Sequence, residues 1–211
     1  MTTSPAGPPV LVATVRHRPP DAVVVRFRNV SVATVSDAQE RLWALDGGIR
    51  AMWSAATCVG PALPVYTRAG DNLAVHRALD IARPGDVLVV NGQGDTSRAL
   101  LGGLLAARAL QRGLAGVVVD GAVRDVDEIA AVGLPVFARA STPAGPYKHG
   151  PAEIGLPVAC GGVVCSPGDI VCGDCDGVAV VPLSRAERVA DAIGGILDKE
   201  QELVRRWNGS G

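Results

Sequence analysis

Aromatic residues are scarce in this chain: two Phe, two Tyr and three Trp among 211 residues, or 3%. A core must therefore be built from Val, Ala, Leu and Ile, and the stacking platforms that hold single-stranded nucleic acid are not expected. Charge of one sign is missing too. Twenty Lys and Arg stand against 21 Asp and Glu, a net charge of −1, which leaves no electrostatic footprint for DNA, RNA or an anionic membrane. A small acidic ligand would need a local cationic site. No apolar run reaches the roughly 18 residues of a membrane span. Met1 to Pro9 has no charged segment leading into an apolar one, so a secretory leader is not expected either. Five cysteines are an odd set, and a reduced, cytoplasmic protein is the expectation.

Hydrophobic residues make up 48% of the chain, enough for a sizeable core, and 26 Gly with 15 Pro promise many tight turns. Residues 1–20 read as a flexible N-terminal extension and residues 21–211 as a single α/β domain ending in a helix. Ala22 to Arg28 reads as a strand or an irregular lead-in. Ser36-Asp37-Ala38-Gln39 has the form of a capping box and predicts a helix to about Leu45. Cys58 to Thr67 predicts a strand interrupted by Pro61 and Pro64, and Asn72 to Ala82 a helix. The apolar runs Asp86 to Asn91 and Ala115 to Asp120 predict strands buried on both faces. Helices follow them, one ending at Arg112 and one over about Asp125 to Val132, before a strand at Pro135 to Ala138. This alternation predicts parallel strands with helical crossovers. Ser141 to about Pro157 is a Pro- and Gly-rich loop. The second half is β-rich, with short strands through Pro182. A second capping box at Ser184 opens a terminal helix with a stripe of Val189, Ile193, Ile196, Leu197, Val204 and Trp207.

Ligands of an open α/β sheet favour the crevice beyond the carboxyl ends of its strands. Two such ends are Asn91-Gly92-Gln93-Gly94-Asp95 and Asp120-Gly121-Ala122-Val123-Arg124-Asp125. Arg124 offers a planar fork for a carboxylate, and Asp125 a hard oxygen ligand for Mg²⁺. That pairing suits a 2-oxo acid. Gly102-Gly103-Leu104-Leu105, as the first turn of a helix, would add free N–H groups for the same anion. The alternative is a surface ion pair with Asp125 as a helix N-cap.

The stretches Val30 to Ala38, Gly70-Asp71-Asn72-Leu73 and Pro84 to Val90, and above all Ala115 to Asp125, resemble one family. It comprises the regulator of ribonuclease activity A and the 4-hydroxy-4-methyl-2-oxoglutarate aldolases. The resemblance runs from about Arg26 to Pro182 and implies an α/β/β sandwich assembled as a homotrimer or a dimer of trimers. By carry-over, Arg124 holds the carboxylate of a small 2-oxo acid, Asp125 binds Mg²⁺ or Mn²⁺, and the backbone of Gly102, Gly103, Leu104 and Leu105 binds substrate. The reaction implied is retro-aldol cleavage of a 4-hydroxy-2-oxo acid or decarboxylation of oxaloacetate. Gly103 departs from the family, whose aldolases keep an acid there. Glu128, one helical turn beyond Asp125, matches relatives that carry their acid at that place instead. Glu200 and Glu202 are candidates for a further acid from a neighbouring subunit. The departure keeps two other readings open: a non-enzymatic regulator binding a protein partner, and a diverged enzyme on a related keto acid.

Cys160, Cys165, Cys172 and Cys175 admit a zinc site or a redox pair, although packing suits their hairpin context. His76 reads as structural or at an interface. Lys148 and His149 lie in the long loop, in solvent or near a substrate. Asp174 and Asp176 read as turn residues.

Overall fold

The structure, a computed structural model, describes residues 10–14 and 17–208. Four strands form its parallel centre: β3 (Cys58–Thr67), β4 (Val87–Asn91), β6 (Gly116–Val123) and β7 (Val136–Ser141), side by side in that order. The crossovers are α3 (Leu73–Ile81), α4 (Gly103–Gln111) and α5 (Val126–Val132). Every residue of β6 is buried, Asp120 included, as a strand covered on both faces requires. On one face of the sheet Val117, Val119 and Val123 pack with Leu79, Ala106 and Ile129 of the crossovers. The other face, with Val87, Val89 and Val118, packs against hairpin β9 (Val158–Cys160) and β10 (Val163–Cys165). A second hairpin, β11 (Ile170–Asp174) and β12 (Gly177–Val181), extends β3 antiparallel and is covered by α1 (Asp21–Val25), α2 (Val32–Asp37) and α6 (Ala186–Asn208). The mixed α/β fold with a β-rich second half is as the sequence predicts.

Several elements differ from expectation. Strand β3 is continuous through both prolines. Pro61 lies just before the ladder to β4 begins at Ala62, and Pro64 falls between the pairings to β11 and to β8 (Ala152–Ile154). Neither position demands the missing N–H. Asp21–Val25 is helical despite three consecutive valines, because Val23, Val24 and Phe27 bury against α6. Ser36 does not start a helix. Ser31 does, its side chain accepting from the Thr34 N–H at 3.1 Å, while Gln39 is buried with its amide donating to the Val180 carbonyl. The 3-10 turn Leu183–Arg185 precedes α6, so the Ser184 box does not cap it.

Of the N-terminal segment, residues 1–9, 15 and 16 lie outside the described residues. Val10–Val12 forms β1, parallel to β8 at the sheet edge, and Arg18 is ion-paired with Asp86. The edge strand β2 (Arg50–Ala51) pairs with β7. The loop after β7 contains β8, and β5 (Ala99–Leu101) adds a short parallel strand beside β6. No helix among the described residues is long and apolar enough to cross a membrane.

Candidate active site

At the carboxyl end of β6 the chain turns into α5, and the turn is made by Asp125 with φ 56° and ψ 45°. A left-handed conformation is uncommon for a residue with a side chain and costs about 1 kcal/mol or more. Asp125 occupies the N-cap position, yet its carboxylate makes no cap bond to α5. Oδ2 instead accepts from the Gly103 N–H, at 3.1 Å, across the start of α4, and pairs with Arg124 Nε at 3.3 Å. The backbone of Arg124 is tied to β5 through the Leu101 carbonyl at 2.9 Å.

Two glycines make this approach possible. A Cβ on Gly102 would lie 2.6 Å from Asp125 Oδ2 and 3.0 Å from Arg124 Nε. A Cβ on Gly103 would lie 2.2 Å from Glu128 Oε2. The Glu128 carboxylate therefore stands in the space that a side chain at 103 would need.

These residues border a cavity of about 460 Å³, with Gly102, Leu104, Leu105, Arg124, Asp125 and Glu128 on one part of its wall. Gly103 contributes the N–H that holds Asp125 rather than a wall. Leu104 is 86% exposed at the mouth. Among the sequence-predicted residues, all of the β6–α5 and α4 set is thus brought together. The Gly92–Asp95 loop is not. Asp120, at the same strand end, points to the other face, where it pairs with Arg139 and accepts from the Gly161 N–H at 2.7 Å.

The rest of the wall comes from elsewhere. Asn72 and His76 of the α3 start, and Pro146 and Lys148 of the long loop, line the same cavity. His76 is therefore a wall residue rather than only a packing one. Its proton affinity is lowered by burial and by Lys148 and Arg108, against a smaller opposite pull from Asp80. His149 stays outside, its ring stacked near Tyr147, while its N–H reaches Asp71. Asp71 is fully buried and organises this wall. Oδ1 accepts from the Leu73 N–H at 2.9 Å, and Oδ2 from His149 and Gly150 at 2.6 and 3.0 Å. Asp71→Asn turns an amide donor toward backbone donors, and thermal or urea unfolding should show a loss of about 2 kcal/mol.

Three members of the C-terminal cysteine group are buried, and no disulfide is formed among the described residues. Burial pushes the Cys160 thiol up to about 12, and those of Cys165 and Cys172 up as well, so they pack as neutral thiols. Asp174, Cys175 and Asp176 cluster at a hairpin tip, where Asp174 accepts from the backbone of Val32 and Asp176. Glu200 and Glu202 lie on the exposed half of α6, and Glu202 pairs with Arg206.

A mixed α/β chain with a cavity at its strand ends, walled by an Arg-Asp pair and a glycine-led helix start, defines the class. Comparison then places it: the family model described as RraA-like, Aldolase/RraA, matches residues 32–180, and the chain belongs to that family. It is 41% identical over 166 residues, 79% of both chains, to a provisionally named 4-hydroxy-4-methyl-2-oxoglutarate aldolase of Halalkalibacterium halodurans. It is 42% identical over 112 residues to the 4-hydroxy-4-methyl-2-oxoglutarate aldolase of Thermus thermophilus, covering 53% of this chain and 68% of that one. Among solved structures, Streptomyces coelicolor RraAS2, described as an unusual member of the RNase ES inhibitor RraA family, superimposes with a TM-score of 0.80. It is 31% identical, over 90% of this chain and all of the other.

Proposed function

We propose that this protein is a divalent-metal-dependent lyase that releases pyruvate from a 4-hydroxy-2-oxo acid or from oxaloacetate. The observation that carries the reading is the left-handed Asp125, held off its own helix by the Gly103 N–H and set beside Arg124 at the cavity. Arg124 binds the carboxylate of the 2-oxo acid, its guanidinium matching a planar anion. The N–H groups of Leu104 and Leu105, in the first turn of α4, add positive character for the same anion.

Asp125 and Glu128 are hard oxygen donors of the kind Mg²⁺ or Mn²⁺ takes, and Mg²⁺ commonly uses only one or two carboxylates and completes its shell with water. The absence of side chains at Gly102 and Gly103 lets both carboxylates stand at this wall, where they would hold such an ion. When bound, it supplies Lewis-acid polarisation of the 2-oxo group. In the cleavage, the C3–C4 bond breaks and its electron pair moves onto the 2-oxo group, while the C4 hydroxyl loses its proton. Glu128 holds or returns a proton in the absence of an acid at 103.

The test is pyruvate release from 4-hydroxy-4-methyl-2-oxoglutarate and oxaloacetate, with Mg²⁺, Mn²⁺ or EDTA. Arg124→Ala should lower kcat/KM at least about 100-fold, the loss of a charge-assisted bond pair. Absence of turnover with every 2-oxo acid tried would leave the partner-binding regulator as the reading, and a lysate pull-down would then be the next measurement.

The same reading includes assembly as a homotrimer or a dimer of trimers. Val189 and Ile193 of α6 are buried, but the stripe continues as Leu197, Leu203, Val204 and Trp207, all exposed, with Trp207 at 71%. A second copy of the chain would cover them. Light scattering should give a mass of three or six chains.

A further inference from the structure

Arg124 is held unevenly. Its Nε end pairs with Asp125 at 3.3 Å, close to the backbone of Gly102. Its two Nη groups, the prongs of the fork, donate to no protein acceptor among the described residues. Their place is therefore set by what they touch. A Cβ on Gly145 would lie 3.3 Å from Arg124 Nη1, so the backbone of the long loop stands beside that prong. Pro146, the next residue, borders the cavity itself.

What fixes Gly145 is a second arginine. Arg98 immediately precedes β5, and its Nη1 donates to the Gly145 carbonyl at 2.7 Å. The same guanidinium lies over the Tyr147 ring, 4.2 Å from its centroid. One planar group thus holds the loop on both sides of Pro146, by a charge-assisted bond at 145 and a cation–π contact at 147. Backbone bonds flank this segment, from the Ala99 N–H to the Ala144 carbonyl at 2.9 Å and from the Tyr147 N–H to the Gly70 carbonyl at 2.8 Å. They leave the Gly145 carbonyl to Arg98. Both arginines are referred to one short strand. Ala99 and Leu101 of β5 register with Ala122 and Val123 of β6, and the Leu101 carbonyl accepts from the Arg124 N–H. Arg98 itself does not border the cavity.

We propose that Arg98 is a positioning residue for the lyase reaction: it holds Gly145 beside Arg124 and so aims the Arg124 fork at the substrate carboxylate. The inference rests on the lyase reading, and its test separates the two. A paired fork depends on both of its bonds being in line, and a misplacement near 1 Å can cost about 100-fold.

The test is a double-mutant cycle on pyruvate release from 4-hydroxy-4-methyl-2-oxoglutarate with Mg²⁺, using Arg98→Met, Arg124→Ala and the two together. Methionine keeps an unbranched stem beside Tyr147 and loses the donor and the charge. Arg98→Met should raise KM about tenfold, the worth of one charge-assisted bond, and leave kcat within about threefold. KM does not depend on the folded fraction, so a partly unfolded variant does not imitate this result. In the Arg124→Ala background the same substitution should cost less than about twofold in kcat/KM, because the fork it aims is gone. A pull of the Arg98 charge on the substrate, or a general loosening of the loop, would cost the same in both backgrounds. Equal losses therefore overturn the inference, as does an unchanged KM in Arg98→Met or a fall confined to kcat. If Arg98→Met yields no folded protein, Tyr147→Leu takes its place in the cycle, with KM raised about threefold by loss of the stacked ring. No turnover by the wild type removes the lyase reading and this inference with it. Turnover with equal losses removes the inference alone.

Discussion

Gly102→Ala should lower pyruvate-forming kcat/KM by about 1,000-fold while the protein remains folded. The substitution is free of backbone cost. Gly102 has φ −144° and ψ −178°, extended values that alanine adopts readily. What the methyl group meets is the site itself: Asp125 Oδ2 at 2.6 Å, Arg124 Nε at 3.0 Å and Arg124 Cγ at 3.1 Å. Both side chains are partly exposed and free to swing away, so the strain is relieved by losing their placement rather than by unfolding. The stability change is expected below about 1 kcal/mol, as for substitutions outside the core. The chemistry depends on the anion fork and the metal ligand being in register, and a displacement near 1 Å can cost about 100-fold for one group. Here two move together. The check is a thermal melt beside a Mg²⁺ titration of activity, with the midpoint of the titration moving to higher concentration. Wild-type turnover in this variant would show that Asp125 and Arg124 do not act from the positions they occupy.

The parts of this arrangement that lie along one stretch of chain are legible from residue order. Strands β4 and β6 announce themselves as apolar runs, the crossover helices follow from alternation, and Arg124-Asp125 sits where a buried strand ends. What could not be read was set by approach between distant segments. The need for glycine at 102 comes from a carboxylate 23 positions later folding back over it. Asn72 and His76 carry helix-start and mid-helix signals, and only the packing of α3 beside β5 turns them toward the cavity wall. Pro61 and Pro64 break a strand pattern locally, whereas the finished sheet registers each on one side only, Pro61 with Ile170 of β11 and Pro64 with Val89 of β4. The helix at Asp21–Val25 exists because α6 covers it, a tertiary effect that overrides valine's preference for strands.

The relation between Gly103 and Glu128 predicts a reversal of sign in a double mutant. An aspartate at 103, in the first turn of α4, would suit the positive end of that helix, so the position itself favours an acid. The obstacle is Glu128, whose Oε2 stands 2.2 Å from where the Cβ would be and whose own Cβ is 3.0 Å away. Gly103→Asp alone should therefore displace Glu128 and crowd two carboxylates together, lowering kcat/KM about 100-fold and stability by about 2 kcal/mol. Glu128→Ala alone removes the acid and should cost about 100-fold, the lower end of what a proton-transferring group contributes. Independent sites would then give about 10,000-fold in the double variant. If the two positions are alternative seats for one carboxylate, Gly103→Asp with Glu128→Ala should instead recover to within about tenfold of the wild type. That is a coupling of about 4 kcal/mol, three decades of rate, and large against the few tenths expected for sites that do not touch. Steady-state rates for the four proteins and their melting temperatures complete the cycle. An additive double variant would mean that Glu128 fills the space above Gly103 without doing the work of an acid there.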